Sequence, residues 1–215
     1  MMGVLWGIIK FVLMLIFPFL FLIRFSVHLH IHEGLIPWAC IAGGVLFTSL
    51  ILFFYFTFFY GKFFGKNLDT PSVMHRLIMA LALVLLYCIH GLFYFSGSNM
   101  KDSELRKEIR QVHPILRLSL STLIHVDKTL IITDGDRLPE DYKKMGLPSK
   151  AHSLHYKQAN GYAHAIDLRT KGRSEMSNFF VKLYFKLMGF NTLRHGGTAD
   201  HLHISLFSHD RPGSI

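Results

Sequence analysis

Three long apolar runs, at about 4–23, 35–60 and 77–95, constrain this chain more than any other feature of its sequence. A helix that crosses a bilayer needs roughly 20 predominantly apolar residues, and each run meets that length. Lys10 is the single charge inside them, close enough to the N-terminus for its ammonium to reach the interface along its own stem. The first run has neither a basic start nor a small-residue cleavage site, which argues for a retained helix over a cleaved leader. The sequence therefore predicts an α-helical membrane region of three transmembrane helices over 1–98 and a polar domain over 99–215.

Charge follows the same division. Five Lys/Arg and two acids fall in residues 1–100, so the formal charge of +9 divides into +3 there and +6 beyond. A basic domain suits an acidic partner, such as anionic lipid headgroups or an anionic cell-wall polymer. No basic helix or aromatic-interleaved basic stripe points to nucleic acid. Cys40 and Cys88 sit in apolar runs and define no disulfide framework. The loop after the second run carries Lys62, Lys66 and Arg76 against Asp69, and the loop before it carries Arg24 against Glu33. Positive-inside bias then puts the later loop in the cytoplasm and the C-terminal domain on the outer face of the cytoplasmic membrane, although Lys101, Arg106, Lys107 and Arg110 closely follow the third run. His28, His30 and His32 in the first loop read as interfacial histidines. His90 in the third run reads as a polar contact between helices.

The second half changes character. A charged helix is expected over 103–112, ending before Pro114, and another over 114–124 with Leu116, Leu120, Leu123 and Ile124 on one face. Short strands over 130–133, 163–168 and 201–207, a core helix over 179–188 stopped by Gly189, and a loop over 138–151 complete a small α+β domain.

Nine of the 14 histidines follow residue 100, and the chemistry is sought among them. A catalytic zinc ion takes about three protein ligands from His and carboxylate and keeps one position for water. His201 and His203 are two apart on an expected strand and so face one side of it. Asp167 ends a strand in which Ala163 and Ala165 share its face, leaving room for a neighbouring metal. His164 alternates away from Asp167. His195, in a glycine-rich turn, lines a cleft or faces solvent, and His113, His125, His152 and His209 are given no role.

In order along the chain stand Thr133-Asp-Gly-Asp-Arg137, Ser153-Leu-His155-Tyr156, Ala163-His-Ala-Ile-Asp167, Gly189-Phe190 and His201-Leu-His203. This order resembles the D-Ala-D-Ala carboxypeptidase and hedgehog-type zinc peptidases over about 112–207. Their pattern is a Ser-Gly-x-Arg turn, a Ser-x-His, a Gly-x-Ala-x-Asp strand and a late His. The resemblance implies a zinc-peptidase-like α+β domain with an antiparallel sheet, in which His155, Asp167 and His203 bind Zn2+. It implies Asp200 as the catalytic acid/base where the family more often has Glu, Arg137 as the group for the substrate carboxylate, and Ser153 as support beside His155; His201, read from its place on the strand, orients a ligand, hydrogen-bonds substrate or packs. The implied activity is that of a membrane-anchored zinc metallopeptidase, a D,D- or L,D-type carboxypeptidase or endopeptidase acting on peptidoglycan stem peptides. The alternative is a non-catalytic zinc-containing cell-wall-binding module on the same anchor. A third reading makes the membrane half the working part. Two departures stand out: His155 and Asp167 are twelve positions apart, a wider spacing than the family's, and Ala163 replaces the motif glycine.

Overall fold

The apolar N-terminal sequence is mostly helical over its described length, but its helices do not all serve one purpose. The computed structural model describes residues 2–60, 69–138, 140, 146, 152–197 and 200–214. Helix α1 runs over Met2–Glu33 and α2 over Pro37–Tyr55, continuing as a π-helical turn at Phe56–Tyr60. Helix α3 covers Thr70–Phe93. Among the described residues two helices are long and apolar enough to cross a membrane, Pro37–Phe58 and Pro71–Phe93. The expected third span at 4–23 is not a separate element. It is the front of α1, which continues as helix through the expected loop to Glu33 and buries Leu22, Ile23, Ser26, Val27 and His30 inside the protein.

That continuation also corrects the loop histidines. On a helix, residues two apart are turned by about 200°, so the triplet splits. His28 and His32 lie together on the exposed side with rings 4.6 Å apart, while His30 is buried. Close approach of α1 and α2 rests on Gly44, where a Cβ would stand 2.3 Å from Ser26 Oγ and 2.8 Å from the Leu22 carbonyl. Lys62 and Lys66, which carry the orientation argument, lie outside the described residues, as do most of 138–151. Arg76 belongs to α3 rather than to a loop; it is buried and donates to Ser72 Oγ at 3.1 Å.

Two short helices follow, α4 at Leu105–Gln111 and α5 at Pro114–Val126. Pro114 sits in the first turn of α5, where its missing N–H costs nothing. From α5, buried Arg117 donates to the Leu92 carbonyl at 2.8 Å, satisfying a carbonyl left open at the end of α3. Strands β1 (Ile132–Asp134), β2 (Ala165–Arg169), β3 (Asn191–His195) and β4 (His201–Ser205) form one antiparallel sheet in the order β1-β2-β4-β3. Helix α6, Glu175–Met188, connects β2 to β3. Ser174 caps it by accepting from the Ser177 amide, and Gly189 ends it at φ 96°, where a Cβ would also collide with the Arg24 guanidinium of α1.

β3 is absent from the sequence-based expectation, which placed His195 in a turn. The register decides which side chains meet. Asp167 lies opposite His203, which lies opposite Leu193, and Arg169 lies opposite His201, which lies opposite His195. With a side-chain period of two, these share one face of the sheet. Ile166, Leu168, Leu202 and Ile204 take the other and join a core that runs without interruption from α1 through α5 and α6.

Candidate metal centre

The three residues His155, Asp167 and His203 meet, and all three are buried. Asp167 and His203 are cross-strand partners in the middle of β2 and β4. His203 Nδ1 donates to Asp167 Oδ1 at 2.8 Å. His155 arrives from the irregular segment before β2, where the Ser153 hydroxyl accepts from its amide at 3.3 Å. Its Nδ1 donates to the Gly135 carbonyl at 2.7 Å, which turns Nε2 toward the sheet. That Nε2 is 3.3 Å from Asp167 Oδ1 and 3.3 Å from His203 Nδ1.

These distances outline a ligand triangle. Zinc bonds to N and O run at about 2.0–2.2 Å, so tetrahedral ligands stand roughly 3.3–3.6 Å apart. Edges of 2.8, 3.3 and 3.3 Å need to open by only a few tenths of an ångström. The protons support the same conclusion. With Nδ1 of His155 committed to Gly135, its Nε2 carries a lone pair, and Asp167 Oδ1 carries another. One proton, on His203 Nδ1, cannot serve both; a second proton on His155 Nε2, which Asp167 favours, would fill the gap, and so would a metal ion once the His203 proton moved to its buried Nε2. The outer nitrogen of His155 on a backbone carbonyl is also the usual way a ligating imidazole is oriented. Buried His/Asp groups of this kind could hold a metal ion, and the residues fit one.

Charge around the triangle is balanced by Arg137. Its Nη2 donates to Asp167 Oδ2 at 2.9 Å and its Nε to Asp134 Oδ2 at 2.6 Å. Burial alone would raise the Asp167 carboxyl, but His155 and His203 beside it hold it well below the usual carboxylate range. His155 is shifted upward; burial opposes the shift and Asp167 drives it. Burial pushes Asp134 up, against the pull of Arg137 and His155. The Arg137 fork is thus directed at two protein carboxylates, and the arginine holds Asp167 in place.

The other expected site residues divide. His201 borders the triangle, with Nε2 3.7 Å from Asp167 Oδ2, and is partly open to solvent. His195 stacks on it with ring centroids 4.9 Å apart and lies 6.2 Å from His203. Asp200 is not among the three residues that meet. Its carboxylate takes two bonds from Arg194, at 3.0 and 2.7 Å, which depress it to about 2, and Arg194 also holds Glu175. The reason is parity: one residue before His201, Asp200 shares the side of Leu202 rather than that of His203. Asp134 is the member the sequence did not single out, and His195 was read only as a turn residue lining a cleft or facing solvent. Asp134 was in view within the Thr133–Arg137 turn, while His195 depends on a strand that the pattern does not show.

No family model, curated protein or solved structure matches this chain.

Proposed function

We propose that the chain is a membrane-anchored zinc peptidase acting on peptide substrates of the cell wall outside the cytoplasmic membrane. The single observation that carries this reading is the buried His155–Asp167–His203 triangle, whose edges of 2.8, 3.3 and 3.3 Å are close to those between tetrahedral zinc ligands. Two His and one carboxylate is the donor set of hydrolytic zinc sites, with one position left for water. When bound, zinc would polarise the scissile carbonyl and lower the pKa of that water. The protein's own part is to hold the three donors, exclude bulk water at buried Asp167, and move a proton. His201 is the group placed for that transfer, since it borders Asp167 and reaches solvent. Membrane anchoring is supported by Pro37–Phe58 and Pro71–Phe93, whose outer sides expose large apolar residues such as Leu46, Leu50, Leu86 and Ile89.

The full-length protein in detergent, loaded with zinc, is expected to release free amino groups from isolated cell-wall fragments. Chelation or His203→Ala should abolish the release. A protein that holds zinc through these residues and cleaves no wall peptide would instead be a metal-containing wall-binding module.

A further inference from the structure

A second set of buried histidines stands away from this centre. His30 of α1, His113 at the N-cap of α5 and His164 just before β2 each offer a ring nitrogen within 4.8 Å of the others, and all three are buried. Ring centroids lie 4.8 Å apart for His30 and His113, 4.8 Å for His113 and His164, and 5.5 Å for His30 and His164. His164 is three residues from Asp167, so strand alternation turns it to the opposite side of the sheet from the first cluster.

One carbonyl organises two of these rings. His30 Nε2 donates to the Phe207 carbonyl at 2.9 Å, and His164 Nδ1 donates to the same oxygen at 3.1 Å. A carbonyl has two lone pairs and accepts both. Each neutral ring then keeps a lone pair on its other nitrogen. His30 Nδ1 is buried and has no hydrogen-bond partner. His164 Nε2 is met only by the side chain of exposed Asn160, at 2.8 Å, which can swing away. His113 Nε2 is likewise buried and unpaired, and its Nδ1 makes only a long 3.3 Å contact with the Ile115 amide. Unpaired buried polar atoms are uncommon in folded proteins. Here two of them occur in one cluster of imidazoles. Burial and the neighbouring histidines keep His113 well below the ordinary imidazole value, and burial lowers His164 to about 4, so both are in the neutral form that ligates metal.

We infer that His30, His113 and His164 form a second metal site, for a transition-metal dication of the zinc class, which fastens α1 to the C-terminal domain. Imidazole donors without carboxylate or thiolate suit Zn, Cu and Ni rather than Mg or Ca. On binding, His113 shifts its proton from Nε2 to Nδ1 and gives up the long Ile115 contact. His209 stands at the exposed rim, its ring 5.4 Å from that of His30 and its Nε2 donating to the His30 carbonyl at 2.8 Å. The site is structural, since its donors come from three separate elements and sit buried beside the core that those elements share.

The test is cobalt titration of the chelator-stripped full-length protein in detergent, with metal content measured in parallel. The wild-type chain should take up two equivalents. His164→Asn should lose one and keep the equivalent that His203→Ala removes, which reads the two sites separately. His30→Cys should retain binding and add a thiolate-to-cobalt charge-transfer band absent from the wild type, a positive signal from α1 that remains readable if His164→Asn misfolds. A wild-type chain whose entire metal uptake is removed by His203→Ala overturns the inference. So does a His30→Cys chain whose cobalt spectrum is that of the wild type.

Discussion

The cluster at His155, Asp167 and His203 draws on one domain and two adjacent strands, whereas His30, His113 and His164 come from an apolar helix, a helix cap and the edge of a strand. The first includes a carboxylate balanced by Arg137 and stands beside a partly open histidine. The second is all imidazole, and its His30 Nδ1 and His113 Nε2, like His203 Nε2 of the first, are buried without a hydrogen-bond partner. The difference separates two uses of the same residue. A buried set that includes a carboxylate and borders the partly open His201 is the one proposed for chemistry, while a neutral set at a helix-to-domain contact is the one proposed to hold parts together.

The largest expected effect tests the chemical side of that comparison. His155→Ala, Asp167→Ala and His203→Ala should each reduce amino-group release from cell-wall fragments to background. Each should also remove one metal equivalent while leaving the one held through His30. If all three retain full zinc by elemental analysis, the ligand assignment fails. Next, His201→Gln should lower turnover by roughly 100- to 10,000-fold with zinc retained, the range for loss of a general acid–base. Asp200→Asn should stay close to wild type, because that carboxylate is bound to Arg194 on the other side of the sheet. The reverse order of effects would move the proton carrier to Asp200.

Smaller effects sharpen the contrast. Arg137→Lys keeps the charge but loses the fork that joins Asp134 to Asp167, and should cost about 10- to 100-fold in metal affinity at the first cluster. Gly44→Val forces a side chain against Ser26 and the Leu22 carbonyl, which should destabilise the α1–α2 packing by about 1–3 kcal/mol. Measured by thermal unfolding with metal content, that change should weaken uptake through His30 and leave uptake through His203 intact. Ser174→Ala removes the cap of α6 and should cost about 1 kcal/mol, with neither metal equivalent affected.

The first cluster was legible in the sequence because its logic is local. Asp167 and His203 sit on strands whose two-residue period can be read directly, and they follow Ser153-Leu-His155 in a recognisable order. Helices α4 and α5 were marked by Pro114, and the end of α6 by Gly189. β3 was not, since Asn191-Thr-Leu-Arg-His195 lies at the sheet edge, mostly exposed, with no apolar alternation to betray it. Without β3 the hairpin register is lost, and with it the stacking of His195 on His201. The partner of Asp200 was not legible for a related reason: its distance from His203 in sequence says nothing of the face until the strand start is known, and its carboxylate is held by Arg194. The second cluster was invisible because its members stand at 30, 113 and 164, and only the fold brings them together. His30 was further disguised by its neighbours, since three alternating histidines suggest an extended loop when the chain is a helix.

The most direct test of the proposed metal centre at His155, Asp167 and His203 is zinc X-ray absorption on the full-length His164→Asn protein, in which the second cluster is disabled. The account predicts one zinc coordinated by two imidazoles and oxygen donors at about 2.0–2.2 Å, with that signal lost in the His164→Asn/His203→Ala double variant. A zinc environment unchanged by the His203 substitution, or no bound zinc at all in the folded His164→Asn protein, would contradict it.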